Sequence, residues 1–319
     1  MKAIVYRSYG SPDRLRLEEV PKPEVKDGEV LVRIHAAAIN PLDWHLLRGM
    51  PYIVRPTSGW LKPKRNVPGI DVAGVIEAVG RDVTEFHAGD EVFGEKSRAC
   101  AEYVAGPAKL FMHKPANLTL EEAAAVPVAA ATALQALRDK GKIQAGQKVL
   151  INGASGGVGT FAVQLAKWFG AEVTGVCSTS NVDLVHSLGA DHVIDYTRED
   201  FTEGGQRYDL ILDNVGNQSM GRTRRALAPT GTLISNGGGH AGGKLGRTVR
   251  AMLASMVVRQ QAGPSVKTQN HDDLVALKAL IETGKVTPVI DRTYPLAETP
   301  AAIGHVAAGH ARGTVVLTV

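Results

Sequence analysis

Between residues 148 and 170 the sequence runs KVLINGASGGVGTFAVQLAKWFG: an apolar stretch, then Gly153, Gly156, Gly157 and Gly159, then an amphipathic stretch. Glycines at this spacing between a strand and a helix meet three needs of a dinucleotide site. They allow a sharp turn, a close approach of backbone to a pyrophosphate, and tight packing of helix on sheet. Ala154, Ser155 and Val158 fill the rest of the turn. The N–H groups that open the helix have no acceptor within it and lie at the positive end of its dipole, so a phosphate is the ligand they suit.

Which dinucleotide is expected turns on the end of the next strand, about 20 residues further on, where an NAD site offers a carboxylate to the ribose hydroxyls. This chain offers Cys177, Ser178, Thr179, Ser180 and Asn181 instead. The hydroxyls of Ser178 and Ser180 and the amide of Asn181, with Tyr196 beyond them, suit hydrogen bonds to a 2′-phosphate and predict NADPH rather than NADH.

The elements that must carry these residues follow from the hydrophobic pattern. KVLING, AEVTGVC, DHVIDY, YDLILDNVG and TLISNGGG read as strands, with TFAVQLAKWFG and NVDLVHSLG as helices between the first three. Apolar strands alternating with helix-length segments predict βαβ units and a doubly wound parallel sheet. Asn214 and Val215 close one of these strands, and Asn236 and Gly237 another, at the carboxyl edge where ligands of open α/β sheets bind. The first part of the chain is different: GEVLVRIHAAAIN, GIDVAGVIEAVG, GDEVFG and CAEYVAG are short strand-like runs that predict an antiparallel, barrel-like domain. A helix, DDLVALKALIETGK, and two strand-like runs end the chain and are expected to rejoin that domain. The organisation read from this is 1–122, then a nucleotide-binding domain over 123–265, then a return over 266–319.

Composition narrows the alternatives. At 319 residues, 44% hydrophobic and 21% charged, the chain is long enough to split into two cores and has no apolar run of membrane-spanning length. The N-terminal MKAIVYRSYG alternates like a strand and lacks the apolar segment of a secretory signal, so cytoplasmic residence is expected. The net charge of +4 is dispersed rather than gathered in a basic tract, which argues against nucleic acid as a partner. Two cysteines, Cys100 and Cys177, neither of them with a ligand-spaced partner, exclude a disulfide framework and a Cys-rich zinc lobe.

AAAINPLDWHLLRG (36–49), PGIDVAGVIEAVG (68–80), GDEVFG (89–94), NGASGGVGT (152–160), SLGADHVIDY (187–196) and GKVTPVIDRTYPL (284–296) together resemble the medium-chain dehydrogenase/reductase superfamily, specifically its zinc-independent quinone oxidoreductase and zeta-crystallin-like branch. The resemblance runs essentially end to end. It implies a GroES-like, mainly antiparallel β-barrel domain built from both chain ends, a Rossmann domain between, a homodimer, and transfer of hydride from NADPH to a quinone or enone. It sets Asn214, Val215, Asn236 and Gly237 along the nicotinamide and its ribose. Asn40 would lie against the nicotinamide, and Asp43 would fix the local helix or a water. His45 stands where relatives often carry a Tyr, and Tyr52 is the nearest remaining phenol. An imidazole there could donate to a carbonyl oxygen; equally, His45 could be a packing residue and Asp43 a helix cap. The zinc alcohol dehydrogenases of the superfamily carry a Cys after the third strand and a His-Glu pair further on. This chain has Ile39, Asn40, Pro41 and Asp43 at the first place and Ile70 and Asp71 at the second, so no catalytic metal is expected. A non-catalytic NADPH-binding protein, redox-sensing or structural, is the alternative.

Overall fold

The computed structural model describes residues 1–50, 55, 59–64, 66–236, 261–264, 267–309 and 311–319. The chain forms two compact units, one of residues 1–129, 269–284 and 288–319, the other of residues 130–268 and 285–287.

In the first unit the strands are β1 (Lys2–Val5), β2 (Arg16–Glu19), β3 (Glu29–Ile39), β4 (Asp71–Val79), β5 (Glu91–Glu95), β6 (Tyr103–Pro107) and β7 (Phe111–His113), joined late in the chain by β14 (Ile290–Pro295) and β15 (Thr314–Thr318). Its main sheet runs β14-β15-β3-β4-β5-β7, with β6 also pairing β3, and every pair is antiparallel except β14 with β15. The helices are α1 (Pro41–Arg48), α2 (Leu120–Ala124), α3 (Pro127–Gln135), whose start lies in this unit, α7 (His271–Glu282) and α8 (Thr299–Ala308). Val30, Val32, Ile34, Val72, Ile76, Val92 and Phe111 build the core with Leu47 of α1 and Ile303 of α8. At its far end β3 loses its alternation: Ala36, Ala37, Ala38 and Ile39 are all buried, and α2 packs against the strand. The β3–β4 register sets Ala38 opposite Asp71, so the chain leaves β3 for α1 beside the first residue of β4.

The second unit holds β8 (Lys148–Asn152), β9 (Glu172–Cys177), β10 (His192–Asp195), β11 (Tyr208–Asp213), β12 (Leu227–Ser235) and β13 (Gln261–Pro264), with α4 (Gly157–Trp168), α5 (Val182–Ser187) and α6 (Met220–Arg225). All pairs are parallel and the order is β10-β9-β8-β11-β12-β13, the 3-2-1-4-5-6 order of a Rossmann sheet. The strand order reverses between β8 and β11, so their carboxyl ends flank the crevice in which such sheets bind ligands. The sequence pattern does not mark β13. QAGP has no β-branched residue and ends in a proline, which an outermost strand tolerates.

Candidate active site

In the second unit, Gly153 leaves β8 with φ +79°, a conformation that favours glycine, and its N–H and that of Ala154 donate to the Val176 carbonyl at 3.1 and 3.0 Å. Gly159 has no room for a side chain: a Cβ would lie 2.0 Å from the Gly153 carbonyl oxygen and 2.8 Å from Ala154 Cα. Gly156 is the reverse case. A Cβ there would meet only the Gly153 oxygen, at an ordinary 3.6 Å, so its open side is free space. Gly156 is also the N-cap of α4, a position usually held by Ser, Thr, Asp or Asn, and it brings no side-chain acceptor to the first turn. Gly157 and Val158 beside it are half-buried, which leaves the opening amides of α4 a route to a ligand.

Asn181 braces this turn from the side. It is buried, and its Nδ2 donates to Ser155 Oγ and Ser178 Oγ, both at 3.1 Å. The amide thus serves the turn rather than the exposed rim. The rim consists of Ser178 and Ser180, whose hydroxyls lie 3.4 Å apart, and the exposed Tyr196, whose N–H donates to the Cys177 carbonyl. A carboxylate stands here that the end of β9 alone does not reveal. Cys177 pairs with Asp195 across the parallel register, and Asp195 accepts from the Thr179 hydroxyl at 2.6 Å and the Thr197 hydroxyl at 2.7 Å. These hydrogen bonds hold its carboxyl below the usual range, so it is ionised at neutral pH.

On the other side of the turn, β11 ends in the buried Asp213, which accepts from Asn152 Nδ2 at 2.9 Å and from the N–H groups of Val215 and Gly216 at 3.2 and 2.7 Å. The loop carrying Asn214 and Val215 is therefore tied to the ends of β8 and β11. Asn236 Nδ2 donates to Asn214 Oδ1 at 2.9 Å, which joins the ends of β11 and β12. Gly237 lies outside the described residues. Two buried amide atoms flanking the turn, Asn181 Oδ1 and Asn214 Nδ2, have no hydrogen-bond partner. Orphaned buried amide atoms are rare in native proteins and here lie along the edge a dinucleotide would occupy. Together with the open side of Gly156, they fit the residues to that cofactor.

In the first unit, Asn40 caps α1. Its backbone N–H donates to Asp43 Oδ2 at 2.8 Å, and the Gly69 N–H donates to Asp43 Oδ1 at 3.1 Å. Asp43 is buried, and desolvation pushes it up to about 6 against the pull of those N–H donors. Asn40 Nδ2 donates to Asp71 Oδ2 at 2.9 Å, and the fully buried Asp71 also accepts from the Val128 N–H at 3.1 Å. So Asn40, Asp43 and Asp71 form one buried network at the β3–α1 junction. His45 is not part of its core: two residues along the helix lie about 200° around it, and His45 is half-buried on the flank away from Asp43. Tyr52 lies outside the described residues.

Residues 26–159 match the alcohol dehydrogenase GroES-like domain family and residues 188–317 the zinc-binding dehydrogenase family. The chain is 36% identical to a 2-methylene-furan-3-one reductase of Solanum lycopersicum, over 99% of this chain and 79% of the relative. It is 35% identical, over the same shares, to a chloroplastic NADPH-dependent alkenal/one oxidoreductase of Arabidopsis thaliana. The chain belongs to the medium-chain dehydrogenase/reductase superfamily. A solved structure of this superfamily, a quinone oxidoreductase from Coxiella burnetii, superimposes with a TM-score of 0.88 at 30% identity, over 100% of this chain and 99% of that one.

Membership of this superfamily raises the question of zinc, and the donor set does not fit it. Among the described residues no three His, Cys, Asp or Glu side chains come together to hold a metal ion. At the two places where superfamily zinc enzymes carry ligands, the carboxylates of Asp43 and Asp71 already accept two hydrogen bonds each from the network above. Cys100, behind Gly69, is buried, and burial followed by the Asp43 charge raises its thiol well above the ordinary value, which disfavours the thiolate a metal needs. Three residues escaped the sequence reading of function: Asp71, Asp195 and Asp213. Each acts through strand register, and the only local signal was an Asp at the start or end of a strand segment.

Proposed function

We propose that this chain is an NADPH-dependent, zinc-independent reductase of quinones or activated alkenes. The observation that carries the reading is the opening of α4: a glycine-capped helix start with one open glycine face, flanked by two orphaned buried amides. The relatives named alkenal/one and quinone oxidoreductases support the substrate class. Bound NADPH would supply the hydride.

The chain's own residues supply the rest. Gly153, Ala154, Ser155, Gly156, Gly157, Val158 and Gly159 form the pyrophosphate turn; Ser178, Ser180 and Tyr196 face the adenosine end, with Asn181 behind them. Asn214, Val215 and Asn236, at the strand ends, are assigned to the nicotinamide and its ribose, as is Gly237, which lies outside the described residues. To Asn40, its amide oriented by Asp71, we assign contact with the nicotinamide, and Asp43 locks the backbone that carries it. His45 is assigned as donor to the oxygen that would gain charge on reduction, with Tyr52, outside the described residues, as the alternative donor, and the enolate or phenolate would take its proton from that donor or from water. An electron-poor acceptor needs alignment and modest oxyanion stabilisation rather than a Lewis acid, which suits a site without metal ligands.

No helix among the described residues is long and apolar enough to cross a membrane. Cytoplasmic residence and a homodimer paired along the outer edge of the Rossmann sheet complete the reading. The two free, buried cysteines suit a reducing compartment, and sedimentation of the purified protein tests the dimer. The principal experiment is a panel of quinones, enones and simple alcohols assayed with NADPH and NADH in parallel. Oxidation of NADPH accelerated by quinones or enones is the expected result. NADPH binding with no acceptor turned over would leave a nucleotide-binding protein in place of an enzyme.

A further inference from the structure

NADPH selection at the adenosine end lacks an obvious cation. The two loops that leave β9 and β10 at the carboxyl edge, Ser178–Asn181 and Tyr196–Arg198, contain one cation between them, Arg198. The register Cys177↔Asp195 sets these loops side by side. Asn181 is buried and both N–H groups of its Nδ2 are taken by Ser155 and Ser178, so it has no donor left for a phosphate on the rim. Asp195 works against one: its ionised carboxylate is held by Thr179 and Thr197 at that same edge. A phosphate carrying nearly two charges is repelled by a carboxylate beside it, which weakens its binding. Arg198 is the group that offsets this. Its Nε stands 3.5 Å from Asp195 Oδ2, while its side chain is 74% exposed, so the guanidinium is anchored near the carboxylate and keeps most of its fork in solvent. The threonine hydroxyls of residues 179 and 197 lie 3.0 Å apart beside it.

Resting on the cofactor reading above, we propose that Arg198 is the residue that selects NADPH: it neutralises Asp195 and presents its remaining N–H groups, with the Ser178 and Ser180 hydroxyls, to the 2′-phosphate. Without it, Asp195 is a carboxylate at the ribose, the arrangement that favours NADH. An exposed guanidinium fits a phosphate through paired N–H donors, which an ammonium reproduces only as a point charge.

The test is nucleotide binding followed by tryptophan fluorescence, with NADPH, NADH, adenosine 2′,5′-bisphosphate and 5′-AMP titrated into the wild-type chain and into Arg198→Ala, Arg198→Lys and Arg198→Glu. Arg198→Ala should weaken NADPH and the bisphosphate by about tenfold or more, a loss typical of a charge-assisted contact. NADH and 5′-AMP should stay within about twofold, and their retention doubles as the check that the variant is folded. Lysine should recover part of the loss, and glutamate should turn the preference toward NADH. Equal binding of NADPH by the wild type and Arg198→Ala overturns this assignment and leaves the cofactor reading standing, as does a loss of equal size for both nucleotides. A wild-type chain that binds neither nucleotide removes both.

Discussion

Replacing Gly156 by alanine separates a phosphate-binding turn from a merely tight one. In the free protein the new methyl costs little: Gly156 has φ −83° and ψ 174°, open to any residue, and the nearest heavy atom to a Cβ is the Gly153 oxygen at 3.6 Å. Alanine is a poorer N-cap than glycine by roughly 0.5–1 kcal/mol, and it gains roughly 0.4–1 kcal/mol by restricting the unfolded chain, so the two effects nearly cancel. The thermal midpoint should stay within about 3 °C of wild type. Binding is another matter, because the methyl enters the space through which a pyrophosphate approaches the α4 amides. Overfilling a close contact costs about 1–3 kcal/mol, or roughly 5- to 150-fold in Kd. Gly159→Ala should do the opposite, losing stability first: its Cβ would lie 2.0 Å from the Gly153 oxygen, at a cost of about 1–3 kcal/mol beyond any gain in helix propensity. Both variants are measured by NADPH titration against tryptophan fluorescence and by thermal melting. A Gly156→Ala chain that melts normally and binds NADPH within twofold of wild type would refute the placement of the pyrophosphate.

Two further outcomes follow from the first unit. Because burial raises Asp43 to about 6 while the unfolded residue titrates near 3.8, the folded chain holds this proton more tightly than the unfolded chain does. Its contribution to stability is therefore complete below the unfolded value and lost as pH rises through about 6, at most about 3 kcal/mol over that window. Urea unfolding at a series of pH values should show the wild type losing stability relative to Asp43→Asn between pH 4 and 6.5, and a gain over that window would show the carboxyl to be ionised when folded. Metal analysis of protein purified without chelator should find zinc well below stoichiometric, and prolonged EDTA treatment should leave NADPH oxidation by a quinone unchanged; one tightly held zinc per chain sinks the metal-free reading.

The division between what the sequence disclosed and what it concealed follows the range of the forces involved. The turn from Gly153 to Gly159 was legible because every requirement in it is local: a positive φ at residue 153, a missing Cβ at 159 and a helix start three residues on are all written within one heptad of chain. The strands of the Rossmann sheet were legible for the same reason, their apolar runs being self-contained, and β13 was not, since an outermost strand draws its stability from one neighbour and needs no apolar pattern of its own. The site's polar partners lie at the opposite extreme. Asn40 meets Asp71 only because Ala38 pairs with Asp71 across β3 and β4, and Thr179 meets Asp195 only because Cys177 pairs with Asp195 across β9 and β10. The absence of an acidic residue after β9 thus described the sequence correctly and the electrostatics incompletely, because a parallel sheet delivers to each strand end the side chains of its neighbours as well. In a sheet of this order, cofactor preference is a property of two adjacent strand ends, and a motif read along one strand reports half of the charge that the ribose meets.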